Sequence, residues 1–139
     1  MKKKLPLILV LAVLLWVETI YAGNMCWMDG TGAYWKTYVT KPDGVSPFET
    51  VAGVRYNPAT YVLPVTGTLQ KSLGDTTLRL SVTGTYVSTS GVMHAYFFDA
   101  TLDATTKSGT IWCLEKTGTD SFVRSTILAP TECSDLPPY

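Results

Sequence analysis

Apolar and polar side chains alternate residue by residue along most of this chain, and clusters of Gly, Pro, Asn, Asp and Ser interrupt the alternation at short intervals. A period of two is that of a strand with one covered face and one wet face, and no stretch carries a convincing helical period. Ala33 to Thr40 sets Trp35, Thr37 and Val39 against Tyr34, Lys36 and Tyr38, and Lys41-Pro42-Asp43-Gly44 then supplies a turn. Glu49 to Tyr56 follows, stopped by Asn57-Pro58, since proline lacks the amide that a sheet ladder needs. Val62 to Lys71 and Thr77 to Val87 come next, separated by Leu73-Gly74-Asp75; in the second, Leu78, Leu80, Val82 and Tyr86 share one face. Beyond Ser88-Thr89-Ser90-Gly91, Met93 to Leu102 aligns His94, Tyr96, Phe98, Ala100 and Leu102. About Gly109 to Lys116 and Phe122 to Leu128 complete seven strands, and Met25 to Met28 makes an eighth if it pairs ahead of Asp29-Gly30-Thr31-Gly32.

Seven or eight short strands joined by short turns predict an all-β fold, an antiparallel up-and-down meander closed as a small barrel, with a β-sandwich as the alternative. An even strand number carries a geometric consequence. The end of the last strand then lies beside the start of the first, which brings Cys26 to Cys133. Three pairings of Cys26, Cys113 and Cys133 exist on paper, and this one is expected, with Cys113 a small buried hydrophobe inside a strand.

The pattern differs at the start. Lys2, Lys3 and Lys4 precede an apolar run from Leu5 to Val17, and a small-residue exit follows at Ala22-Gly23. That order predicts a secretory signal peptide over 1–22, leaving a single domain over 23–139. The run of about 13 residues falls short of the roughly 20 that a spanning helix needs, so no integral membrane span is expected after cleavage. Met25 before Cys26 breaks the small-residue pattern of a lipidation site. The expected address is periplasmic or extracellular, where a disulfide persists.

Setting Lys2, Lys3, Lys4 and Glu18 aside from 11 basic and 11 acidic residues leaves eight and ten, a nearly neutral body. Neutrality with scattered Lys and Arg excludes an electrostatic path to nucleic acid. His94 is the single histidine, so multi-histidine zinc and copper sites are excluded. Phosphate-loop, haem-attachment, EF-hand and hydrolase motifs are absent too, and no metal or cofactor is expected. Asp99 and Asp103, four apart, could share a face for carboxylate chemistry, or simply sit in a solvated turn.

Trp35, Tyr56, Tyr86, Tyr96, Phe98 and Trp112 are assigned to the interior, where they either fill a small barrel or line a cavity in a wider one. His94 stands among them as a hydrogen-bonding group of a pocket or as a strand-end histidine. Tyr34, Tyr38 and Phe97 on the opposite face are candidates for a partner patch.

Gly32-Ala33-Tyr34-Trp35 resembles the Gly-x-Trp of the first lipocalin strand with one residue more, and Thr119-Asp120 falls where lipocalins carry a Thr-Asp pair. Leu80-Ser81-Val82-Thr83-Gly84-Thr85-Tyr86 is similar to an avidin strand containing Thr-Gly-Thr-Tyr. The chain thus resembles the calycin barrels in outline, which implies a soluble barrel whose interior holds one small apolar molecule. It departs from them in lacking a C-terminal helix and the tryptophan pattern that closes over biotin. The expected function is an exported, non-enzymatic barrel binding a small apolar ligand. The alternatives are a structural or protein-interaction component of the cell envelope, and an enzyme resting on His94 or on Asp99 and Asp103.

Overall fold

The computed structural model describes residues 23–40, 48–72, 74 and 76–139. The expected signal peptide at 1–22, the turn at Lys41-Pro42-Asp43-Gly44, and Leu73 and Asp75 lie outside the described residues. The alternating segments form eight strands: β1 (Gly23–Asp29), β2 (Tyr34–Thr40), β3 (Phe48–Asn57), β4 (Tyr61–Lys71), β5 (Thr77–Val87), β6 (Met93–Asp103), β7 (Gly109–Thr117) and β8 (Asp120–Pro130). Each pairs antiparallel with the next, and β8 returns to β1, so the sheet is a closed up-and-down barrel, the outline of a calycin, and not a sandwich. Among the described residues no helix is long and apolar enough to cross a membrane.

Closure rests on few contacts. The β1–β8 register holds three pairs, Trp27 with Pro130, Met28 with Ala129 and Asp29 with Leu128. Gly30 N donating to Ile127 O at 3.0 Å and Thr131 N donating to Cys26 O at 2.9 Å extend the seam at its two ends. Cys26, on the outward face of β1, forms the disulfide with Cys133 across 107 residues of sequence, with a Cα separation of 5.3 Å. Cys113 is the free thiol.

An eight-stranded barrel is just wide enough for side chains to fill it. Trp27, Trp35, Leu63, Val65, Leu80, Val82, Phe98, Leu102, Ile111 and Leu128 do so, all buried in one cluster. Two glycines let the strands coil this tightly. A Cβ on Gly53 would lie 2.2 Å from the Lys36 carbonyl oxygen, and one on Gly67 would lie 2.0 Å from that of Ser81. Any side chain there would drive two strands apart.

Replacing Cys26 and Cys133 together by Ser is expected to lower the unfolding free energy by about 3–5 kcal/mol, since the bridge closes a loop of more than 100 residues. Urea denaturation of the two forms measures this.

Candidate functional site

Alternation assigns every strand residue to the interior or the outside, and the interior has two unlike ends. At the end where β1–β2, β3–β4, β5–β6 and β7–β8 turn, the inward positions are aromatic and charged. At the other, where β2, β4 and β6 end, aliphatic side chains with Glu49 and Lys71 border a cavity.

The aromatic end is built on β5 and β6. Tyr86 and His94 are a cross-strand pair, and their rings stack at 4.5 Å, almost parallel. Tyr96 lies 6.1 Å from Tyr86, and Phe98, two residues on, is 5.8 Å from Tyr96. Trp35 meets Phe98 edge-on at 4.9 Å. These five expected site residues therefore form one ladder on the inward face, running from the buried Trp35 and Phe98 to Tyr86, 37% exposed at the rim.

Two ion pairs flank the ladder. Asp29, buried, accepts at Oδ1 from Thr31 N at 3.0 Å and Ala33 N at 3.2 Å, and at Oδ2 from Trp35 Nε1 at 3.0 Å and Arg55 Nε at 2.9 Å. The Arg55 guanidinium lies 5.5–5.6 Å from the ring centres of Trp35, Tyr61 and Phe98 and bonds the Tyr61 hydroxyl. Across the barrel, Glu115 accepts from the Tyr96 hydroxyl at 2.9 Å and from Arg124. Thr117 Oγ1 bridges His94 Nδ1 at 3.0 Å and Glu115 at 3.3 Å.

The electrostatics follow. Burial pushes the Asp29 carboxyl up, but the Thr31 hydroxyl, the Arg55 charge and the Trp35 indole outweigh it and hold the group below the ordinary value. Glu115 behaves alike, burial opposed and overcome by Tyr96 and Arg124. Burial, then the bond to Glu115, pushes the Tyr96 phenol far up. Burial also raises the Cys113 thiol, against the pull of Arg124. A chamber of about 100 Å³ lies between the two ion pairs, bounded by Arg55, Phe98, Cys113, Arg124 and Thr126 among others. It is small, and its polar walls are bonded to one another.

The larger space is at the opposite end. Met25, Val39, Glu49, Leu69, Lys71, Leu78 and Lys107 line a half-open space of about 400 Å³. The β6–β7 turn contributes Lys107, whose carbonyl accepts from the Trp27 indole at 2.8 Å and so ties the cavity wall to the core.

Two assignments need correction. Trp112 does not face inward: β7 turns Ile111, Cys113 and Glu115 to the interior, and Trp112 is 57% exposed on the outer face. Tyr56 is fully buried, yet outside the barrel, because β3 turns Val51, Gly53 and Arg55 inward; Tyr56 pairs with the outward Tyr34 and lies under the C-terminal tail. Asp99 and Asp103 do not form a carboxylate pair. Asp99 is held outside by Arg79 at 2.9 Å and Ser81 at 2.8 Å, and Asp103 accepts from the amides of Thr105 and Thr106 in a turn. Among the described residues no cluster of three or more His, Cys, Asp or Glu could hold a metal ion. Arg55, Glu115 and Arg124 went unassigned in the sequence, although parity with Val51, Ile111 and Leu128 would have placed them inside.

Compared with known proteins, the chain matches no family model, no curated protein and no solved structure.

Because the folded Asp29 and Glu115 carboxyls titrate below their ordinary values of 3.8 and 4.5, their contribution is complete above those values and is lost as pH falls through the folded ones. The melting temperature is therefore expected to hold from about pH 7 to 5 and to drop below about pH 4. Asp29→Asn should cost about 3 kcal/mol at pH 7, at the lower end for a broken buried pair because Arg55 keeps 14% exposure, and should flatten that acid limb. Thermal melts across pH of both proteins check this.

Proposed function

We propose that this chain is an exported, non-enzymatic barrel that binds one small, mostly apolar molecule in the cavity bounded by Met25, Val39, Leu69 and Leu78. The observation that carries the reading is that cavity: about 400 Å³ lies within the range of small-molecule sites, and its walls combine the apolar Met25, Val39, Leu69 and Leu78 with Glu49, Lys71 and Lys107 as a few polar groups. The rest of the interior supports a cup with one usable end. The middle is filled by Trp27, Trp35, Leu80 and Leu102, and the ladder of Tyr86, His94, Tyr96 and Phe98, with its ion pairs, closes the other end as a floor. On this reading Trp35 and the ladder shape and stiffen the cup without touching the ligand.

Export is supported by the basic start, the short apolar run and the Cys26–Cys133 bridge, which an oxidising compartment preserves. Solubility after export is supported by the outward polarity of β4 and β5, which turn Thr66, Thr68, Gln70, Arg79, Ser81, Thr83 and Thr85 outside while Leu63, Val65, Leu69, Leu78, Leu80 and Val82 face in. Membrane barrels carry the reverse arrangement. A binding role without catalysis is supported by the state of the nucleophiles, since burial keeps the Cys113 thiol and Tyr96 phenol protonated at neutral pH.

Titration with the apolar fluorophore N-phenyl-1-naphthylamine is expected to saturate at one molecule per chain. Leu69→Arg should weaken it at least tenfold by placing a charge in the wall, while Tyr96→Phe, at the floor, should leave it unchanged. Absence of saturable binding, or equal loss in both variants, would count against the cavity.

A second reading, a protein-interaction component of the envelope, is favoured by one feature. Phe97, Leu114 and Val123 stand in a cross-strand row on the outer face of β6–β8 beside Trp112 and Ile127, and all five are exposed. A contiguous apolar patch of this kind marks contact surfaces. If it serves one here, crosslinking in intact cells traps a reproducible partner that Leu114→Lys abolishes; unchanged crosslinks would sink the idea.

A further inference from the structure

The tail crosses the outer face of β2 and β3 in a manner that the barrel itself does not require. After Pro130 the chain bonds back to β1 through Thr131, makes one short turn at Cys133–Asp135, and is bridged there to Cys26. Leu136 then enters with φ −70° and ψ 134°, the polyproline II region, ahead of Pro137 and Pro138. The surface beneath is aromatic. Tyr34 and Tyr56 lie 5.7 Å apart, ring centre to ring centre, and the Tyr139 ring sits 5.1 Å from Tyr56 with the Lys36 ammonium 6.0 Å from its centre. The Tyr56 hydroxyl donates to the Pro137 carbonyl at 2.6 Å. Beside Tyr139 the groove continues as about 240 Å³ between Lys36, Tyr38, Ala52 and Val54.

These are the elements by which aromatic grooves hold polyproline II segments. Such a helix makes no internal hydrogen bonds, so its carbonyls are available to a donor, and its stiffness lowers the entropy lost on docking. We propose that the outer face of β2–β3 is a recognition groove for an extended Pro-Pro-aromatic segment of a partner protein, with the chain's own Leu136-Pro137-Pro138-Tyr139 as its built-in occupant. That tail, already seated, defines the chemistry the groove accepts. A tethered tail competes at an effective concentration in the millimolar range, so a partner gains entry only where the tail's hold is slight. Tyr139, at 64% exposure, is the slight end of that hold. The groove lies outside the barrel and stands or falls independently of the cavity.

The test uses the full chain carrying Pro137→Gly, Pro138→Gly and Tyr139→Gly, with the disulfide intact, and a fluorescein-labelled, C-terminally amidated peptide Ser-Asp-Leu-Pro-Pro-Tyr read by anisotropy. Saturable one-to-one binding is expected, with the unsubstituted chain at least tenfold weaker because its tail competes. Adding Tyr56→Phe should weaken binding about fivefold through loss of one hydrogen bond, and a peptide with both prolines replaced by Ala should not bind. A substituted chain that melts cooperatively and takes up no peptide overturns the proposal and leaves the tail a plain cover. So does reciprocal exchange of tails between two copies without peptide uptake. Should the triple variant fail to fold, Tyr139→Ala in the full chain is titrated in the same way: saturable uptake of the peptide supports the groove, and its absence overturns it.

Discussion

An antiparallel sheet leaves a row of unpaired amides and carbonyls at each edge, and this chain closes its sheet by pairing the end of β8 with the end of β1. The seam is the shortest pairing in the barrel, three residue pairs against the six or more at each of the other junctions. Its geometry decides much else. Because eight is even, β8 ends beside β1, so the chain leaves the barrel next to Cys26; the bridge to Cys133 then reinforces the seam and sends the tail over Tyr56. Tight coiling at Gly53 and Gly67 brings neighbouring backbones close enough for the circle to close.

The strands were legible because a half-buried sheet prints its period on the sequence: seven fall where the alternation places them, and the conditional eighth at Met25 to Met28 forms as part of β1. The disulfide was legible because Cys26 and Cys133 flank the body, and an eighth strand, once present, brings those two ends together. Side-chain direction was less secure where both faces are apolar. In β7, Ile111 and Cys113 compete with Trp112 and Leu114, and size favours Trp112; the choice is settled by Cys113 pairing with the inward Phe98, a partner far away in the sequence. In β3 the sequence offers Tyr56 or Arg55 for the interior. Arg55 goes in because Asp29, 26 residues earlier, is already there to receive it. Tyr56 is then buried by a tail that arrives 81 residues later. The cavity was not legible, because it is bounded by strand ends whose spacing only closure fixes.

The two ion pairs account for the asymmetry of the interior. Asp29 with Arg55 is a buried pair, which gains little net stability over an apolar replacement but is costly to break, so it acts mainly on which arrangement is allowed; Arg124, 59% exposed, covers Glu115 from the rim. Asp29 with Arg55 and Glu115 with Arg124 pin β1, β3, β7 and β8 at one end and hold Trp35 and Tyr96 by their polar atoms. The rings between them stack in fixed register and leave little room. At the other end no aromatic ladder fills the barrel, and space remains among Met25, Val39, Leu69 and Leu78 with Glu49 and Lys71. The end richest in chemistry-bearing residues is therefore the occupied one, and the end plainest in sequence holds the volume.

β1 joins the two surfaces to which function is assigned. Its side chains alternate, so Met25 lines the cavity inside while Cys26, the next residue, holds the tail outside. Trp27 closes the core directly above Met25 and bonds to Lys107 on the cavity wall. Over its first residues β1 is paired with β2, whereas its pairing to β8 starts only at Trp27. That stretch has no ladder partner in β8, and the Thr131–Cys26 hydrogen bond and the bridge to Cys133 restrain it from outside. A change in how the tail is seated therefore acts on a strand segment that borders the cavity.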